Sequence, residues 1–433
     1  MNRVTIMLVA ALAHVAAFAD PVLSGIAVTQ QRPWSPVTRI SFNVSGTGGV
    51  AHRLSFTAYE GTRSLGVIPE SVLSGDIYVD SDGAKSVSFD PASVDFLRAA
   101  GTVGDFRVGI SSEAAGNILY KVIDLRYPRG TPWQTVYVTE ADLNSGSKVV
   151  GVPGSSGTVT WDLSCMTNPV PGISSLVWTG CTNSAFSTGG VRFFNSHMIM
   201  RRVRGGTFTL GTGNLARSAT VGDFWISIYT CTISQVDFWS GDEESEKGQV
   251  IPRRDKSYGQ IRGLGRVWPE DGSRVSEDSL IALLRARTGI ESFDLPTEAQ
   301  WEYACRAGTT TKYYNNTNDD STLADIAWYG GGNEMMHRAG QKAPNAWGLY
   351  DMIGNLWEYV RDWYRSDAST YDSGWEPSGP VSERAIYRLV RGGSYASGAV
   401  NCTNFSRTGD AKTAPDPDEV GNIYGFRVIH TGW

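Results

Sequence analysis

Apolar residues recur at every second position along the N-terminal part of the chain: Ile40, Phe42 and Val44, then Val87 and Phe89, then Phe106, Val108 and Ile110. A period of two places one face of a strand against a core and the other against water. Between these runs lie turn-forming clusters, Ser45-Gly46-Thr47-Gly48-Gly49 and Asp80-Ser81-Asp82-Gly83. Short alternating strands separated by turns predict an all-β sandwich over residues 20–127.

The pattern changes twice further on. Over residues 128–195, Pro128, Pro132, Pro153, Pro169 and Pro171 interrupt short apolar runs, which predicts an irregular, β-rich connector. From 196 to 433 strands and helices mix. Met198–Val203, Thr207–Leu210 and Phe224–Ile233 read as strands. Ser276 is placed to cap a helix that carries Leu280, Leu283 and Leu284 on one face and stops at Gly289. Thr297 and Gln300 form a capping box for a second helix, with Trp301, Ala304 and Cys305 on one face, Glu302 placed to pair with Arg306, and Gly308 at the end. Helices embedded among strands and long ordered loops make this region α+β.

One stretch has no period at all. From Asn345 to Tyr364, large rings alternate with the turn formers Gly348, Gly354 and Asn355, while Asp351, Glu358 and Asp362 are threaded between them. Aromatics that must be buried, with oxygen ligands held at turns, fit either a rigid core loop or a hard-cation site.

Composition narrows the function classes. Of 433 residues only 19% are charged, while 49 are glycine and 14 tryptophan, a profile of ordered loop-rich domains rather than helical bundles or disorder. The net charge of -6 gives no electrostatic case for nucleic acid or an anionic membrane as partner. Residues 1–19 carry Arg3, an apolar run and Ala17-Phe18-Ala19, the pattern of a secretory signal, and no other run is long and apolar enough for a membrane span. The expected location is therefore secreted, periplasmic or cell-surface, where disulfides persist. Five cysteines are present, so at least one stays unpaired. Cys165 and Cys181 flank a proline-containing loop, and a bond between them would contribute about 3 kcal/mol by the loop-closure argument. Neither zinc nor a Cys/His nucleophile has support from spacing.

Leu295-Pro-Thr-Glu-Ala-Gln-Trp-Glu-Tyr-Ala-Cys-Arg-Ala-Gly308, Asn345-Ala-Trp-Gly-Leu-Tyr-Asp-Met-Ile-Gly-Asn-Leu-Trp-Glu-Tyr359, Arg391-Gly-Gly-Ser-Tyr395 and Gly425-Phe-Arg-Val428 occur in this order, preceded by Gly205-Gly-Thr-Phe-Thr-Leu-Gly211. Together they resemble the signatures of the formylglycine-generating enzyme, or sulfatase-modifying factor, family. Short motifs mislead singly and rarely in series. The resemblance implies a C-type-lectin-like α+β fold with little regular secondary structure at 196–433, here behind an immunoglobulin- or fibronectin-like sandwich. It also implies structural calcium, with Asn355 and Glu358 as the ligands.

In active members of that family, two cysteines after the Gly-Gly-Ser-aromatic motif bind copper and oxidise a substrate cysteine. Counted from Tyr395, those positions fall on Ser397 and Cys402. Cu(I) prefers soft thiolates, and a serine hydroxyl is a hard, poor replacement. Cys402 remains the catalytic candidate by resemblance, but copper chemistry is not expected. The family resemblance also implies a Cys305–Cys402 disulfide and makes Cys231 a buried free thiol. The expected function is a non-catalytic module that binds protein or glycan through the loop holding Asn401, Asn404, Phe405 and Arg407, whose rings and amides suit adaptable recognition. The alternatives are a formylglycine-generating oxidase and a diversified surface receptor of a diversity-generating retroelement.

Overall fold

A computed structural model describes residues 21–431 except 31–36, 49–50, 69–72, 101–102, 115–117, 126–134, 140–141, 143–144, 146, 152–157, 163–195, 242–249, 264–274, 331–334, 365–373, 376, 378–386 and 409–422. The signal-like segment 1–19 and the Cys165–Cys181 pairing lie outside the described residues.

The alternating N-terminal runs form β1 (Val22–Gln30), β2 (Thr38–Ser45), β3 (His52–Glu60), β4 (Arg63–Ile68), β5 (Ser74–Gly75), β6 (Tyr78–Val79), β7 (Gly83–Phe89) and β8 (Phe106–Ala114). One sheet runs β1-β2-β7-β5; the other runs β4-β3-β6 with β8 beside β3. Ile40, Phe42, Val44, Val87 and Phe89 from the first sheet meet Phe56, Val108 and Ile110 from the second in one buried core, closed at one side by Leu97 of the short helix α1 (Asp95–Ala100). The predicted turn clusters are stapled together. Asp82 accepts hydrogen bonds from the Gly46 and Thr47 amides and from the Thr47 hydroxyl.

The remaining strands are β9 (Ile118–Asp124), β10 (Thr135–Thr139), β11 (Ser147–Gly151), β12 (Thr158–Asp162), β13 (His197–Val203), β14 (Gly206–Leu210), β15 (Arg217–Val221), β16 (Phe224–Ser227), β17 (Trp357–Tyr364), β18 (Gly374–Trp375), β19 (Tyr387–Arg391), β20 (Tyr424–Gly425) and β21 (Ile429–His430). Helices follow in the order α2 (Ile233–Ser240), α3 (Tyr258–Ile261), α4 (Leu280–Thr288), α5 (Glu298–Arg306) and α6 (Leu323–Ile326).

The expected boundary at 127 does not separate the sheets. Strand β9, from the supposed sandwich, and β10, from the supposed connector, join a five-stranded sheet ordered β10-β9-β13-β16-β21. Every residue of β9 is buried, so both of its faces are covered and alternation cannot mark it. The two parts also pack against each other. Tyr78 lies 4.5 Å from Tyr137 by ring centroids, and Asp80 pairs with Arg202.

Local details differ from the expectation where a cap competes with a strand. The run expected to be extended from Phe224 to Ile233 ends at Ser227, because Thr232 caps α2 by accepting from the Gln235 amide while the Gln235 side chain accepts from the Thr232 amide. Helix α4 is capped by Ser279 rather than Ser276, and Gly289 stops it in the left-handed region. Helix α5 has the expected capping box between Thr297 and Gln300.

Candidate functional site

Helix α5 is held at both ends by the stretch Asn345–Tyr364. The Asn345 side-chain amide donates to the carbonyls of Ala304 and Cys305 at the C-terminal end, and its oxygen accepts from the amides of Trp347 and Leu349. At the other end Asp362 accepts from the Glu298 amide at 2.6 Å, where a negative charge also meets the positive end of the helix dipole. Asp351 and Asn355 take left-handed backbone angles, with φ of 52° and 63°. Asn355 grips the His337 backbone through both ends of its amide.

Glu358 is fully buried and its carboxylate is spent within the protein. Arg427 reaches both oxygens, at 2.6 and 2.9 Å, and the Thr230 hydroxyl and Trp301 indole N–H each add a bond at 2.7 Å. The expectation that Asn355 and Glu358 ligate calcium does not fit this donor set. A cation there would have to displace a guanidinium, and Asn355 Oδ1 is already an acceptor.

The C-terminal loop leaves β19 at Arg391, which is buried and paired with Glu302, itself bound to Arg306 at 2.7 Å and to the Gly211 amide at 2.8 Å. Gly393 must be glycine here. Its φ is 84°, and a Cβ would lie 2.4 Å from the Asn401 carbonyl oxygen and 2.6 Å from the Cys402 sulfur. Two matching turns then shape the loop. In Ser394–Ser397 and again in Thr403–Ser406, the last hydroxyl accepts from the first amide and the first carbonyl accepts from the last amide. The repeated Ser/Thr-x-x-Ser spacing is a sequence signal that was there to be read.

Between this loop and the turn Gly211–Arg217 lies a cleft of about 180 Å³, bordered by Thr212, Leu215, Arg217, Glu298, Asn401, Phe405 and Arg407, with the exposed Val400 at its rim. Glu298 sits in its wall. Arg407 Nε lies 3.3 Å, Arg217 Nη2 3.3 Å and Arg391 Nη1 3.6 Å from its oxygens. Burial works against the Glu298 charge, yet Arg407, Arg391 and Arg217 outweigh it and hold the carboxyl below its ordinary range. Phe405 is half-buried and backed by the Arg306 guanidinium, 5.8 Å from its ring centre.

Of the four expected binding-loop residues, Asn401, Phe405 and Arg407 line this cleft. Asn404 does not: it is fully buried and holds Thr309, Thr311 and the Cys305 thiol in place. Arg217 and Glu298 were not foreseen. The first lies far away in sequence, and an acidic first turn on a capped helix reads as a dipole partner.

The Cys305–Cys402 disulfide is not formed. Cys231, Cys305 and Cys402 are all buried free thiols. The Cys305 sulfur faces Asn404 Oδ1 and the Met352 carbonyl, while the Cys402 sulfur faces the Ser394 carbonyl. Burial pushes the Cys402 thiol up to about 12. The Ser397 hydroxyl is engaged in its turn with Ser394, at 3.0 Å from both the amide and the hydroxyl. One buried thiol and one committed hydroxyl do not fit a two-thiolate copper site.

These features define a mixed α+β domain, built on a helix clamped by an aromatic turn segment, behind a β-sandwich. A family model described as "Sulfatase-modifying factor enzyme 1-like domain" matches residues 192–431, and the chain belongs to that family. It is similar to the formylglycine-generating enzyme of Mus musculus, 31% identical over 145 residues that make up 31% of this chain and 38% of the mouse enzyme. The enzyme of Thermomonospora curvata is 31% identical over 150 residues, 31% of this chain and 48% of that one. The chain thus spans less than half the length of these relatives. "Chaperone protein LppX" of Paenibacillus barcinonensis is 24% identical over 287 residues, covering 57% of this chain and 94% of the chaperone. Among solved structures, Treponema denticola variable protein 1 matches with 24% identity and a TM-score of 0.43, covering 55% of this chain and 96% of that one. PvdO from Pseudomonas aeruginosa matches with 21% identity and a TM-score of 0.44, covering 54% and 95%.

Proposed function

We propose that the protein is an exported, non-catalytic member of its family that binds a protein or glycan through the cleft between Gly211–Arg217 and Val400–Arg407. The observation that carries this reading is the state of the two positions where the family's copper chemistry requires thiolates. Ser397 supplies a hydroxyl tied into a turn, and Cys402 supplies a buried thiol whose pKa of about 12 keeps it protonated at neutral pH. The cleft supplies what binding needs instead: an aromatic ring, an amide and charged groups held rigidly on braced turns. The match to almost the whole length of a protein named as a chaperone supports a binding role.

Val400 is 77% exposed at the cleft rim, so a larger side chain there fills the cleft without touching the core. On glycan and peptide arrays the full chain should give discrete hits that Val400→Trp abolishes while its melting temperature is unchanged. Hits that survive this substitution would place the binding surface elsewhere.

A further inference from the structure

Strand β9, buried along its whole length, carries a lysine. Lys121 lies between Tyr137 of β10 and Met200 of β13 in the sheet, and its side chain is buried. Its ammonium sits 4.8 Å from the Trp225 ring centre, 5.2 Å from that of Tyr137 and 3.2 Å from Nε2 of His430 on β21. His430 is fully buried as well, stacked on Trp225 and edge-on to Phe293. Its Nδ1 is 3.4 Å from the Thr431 carbonyl, which only accepts, so the neutral ring carries its proton there and turns the Nε2 lone pair to Lys121.

Among the described residues no carboxylate is paired with either group. Asp124, on the opposite face of β9, lies 3.2 Å from His197. Asp294, whose backbone pairs with Ile429, binds Arg262 at 2.8 Å. Arg202, two positions past Met200 on β13, is held by Asp80 and Asp223. Tyr137, itself packed on Tyr78, meets the ammonium with its ring. Burial pushes the Lys121 ammonium well below its ordinary value, and burial, with Lys121 beside it, pushes the His430 imidazole down too. A proton on each would set like charges side by side in a buried core, which is costly.

We propose that Lys121 and His430 form a proton-sensitive joint: the closed sheet accommodates one proton on the pair, and a second, taken up in mild acid, drives the two side chains apart and loosens β10 and β21. These are the two edge strands of the five-stranded sheet, and β10 carries Tyr137 against Tyr78, so the seam to the β-sandwich responds with them. The device is independent of what the cleft binds.

In the open form His430 regains its ordinary value of about 6.5, above its value in the closed form. Closure is therefore favoured fully above that pH and is lost as pH falls below it. At pH 5 the open form gains up to about thirtyfold in population, and at pH 7.5 almost nothing.

Hydrogen–deuterium exchange of the full chain, read by mass spectrometry on peptides covering β10 and β21, tests the joint against His430→Gln, which keeps a hydrogen-bonding group beside Lys121 and does not titrate. At pH 5 both strands should exchange about tenfold faster in the parent than in the variant, and at pH 7.5 the two proteins should agree within about twofold. Lys121→Met removes the neighbouring charge and keeps the length of the side chain, so it too should exchange more slowly than the parent at pH 5. Equal exchange of parent and His430→Gln at pH 5 would overturn the proposal. So would a difference of the same size at both pH values, which marks a structural role alone. Should the variants fail to fold, the parent decides by NMR of its 13C-labelled histidines: at least one imidazole should stay neutral at pH 6, and titration of every histidine near pH 6.5 in the folded protein would overturn the joint.

Discussion

Glu358 and Arg427 illustrate what a single residue can and cannot announce. A carboxylate beside a turn reads as a cation ligand. Its partner lies 69 positions away, and only the fold brings the two together. Removing the guanidinium by Arg427→Met leaves a buried carboxylate uncompensated, so urea denaturation should register a loss of about 3–5 kcal/mol; a loss under about 1 kcal/mol would contradict the pairing. Asp351 makes a second residue-scale test. Burial pushes its carboxyl up to about 6, against the opposing influence of the Gly340 amide and Arg427. With the folded value above the unfolded one, its contribution is full below pH 4 and is lost as pH rises through about 6. Asp351→Asn keeps the acceptor for Gly340 and tolerates the left-handed backbone, so it should become progressively more stable than the parent between pH 4 and 7, by about 3 kcal/mol in total. A stability difference that does not change with pH would show that Asp351 titrates normally. The left-handed turn at Asn355, by contrast, was readable from residue type alone.

Among the elements, α5 was legible because its instructions are local. A threonine, a glutamine three positions on and an apolar face fix the helix wherever it lies, and Thr297→Ala should cost about 1 kcal/mol by the same denaturation measurement. An unchanged midpoint would mean that the clamp from Asn345 and Asp362 alone holds the helix. Strand β17 was illegible for the opposite reason. It is buried along almost its whole length, and its pairing with β19 shifts register between Tyr359 and Trp363, so neither alternation nor a uniform ladder marks it. Helix α2 carried a capping box in plain sight, hidden inside a run of apolar residues that looked extended.

For the whole molecule, the order of family signatures gave the fold, while the division into domains depended on pairing that no local pattern encodes. Strands β9 and β10 cover the edge that β13 would otherwise expose. A fragment starting at residue 196 should therefore aggregate, whereas one starting at residue 118 should unfold cooperatively in solution; equal behaviour of the two would show that β9 is dispensable. The cleft was half legible. Its aromatic and amide side came from the loop, and its charged side came from a turn and a helix end far away in sequence.

We propose that this chain belongs to its family without the family's oxidation chemistry, because Ser397 offers a hydroxyl where a thiolate pair would need a second sulfur. Mass spectrometry of a Cys-x-Pro-x-Arg peptide incubated with the full chain, copper and oxygen tests this most directly. The peptide should keep its cysteine, and conversion of that cysteine to formylglycine at a rate that Cys402→Ala removes would contradict the account.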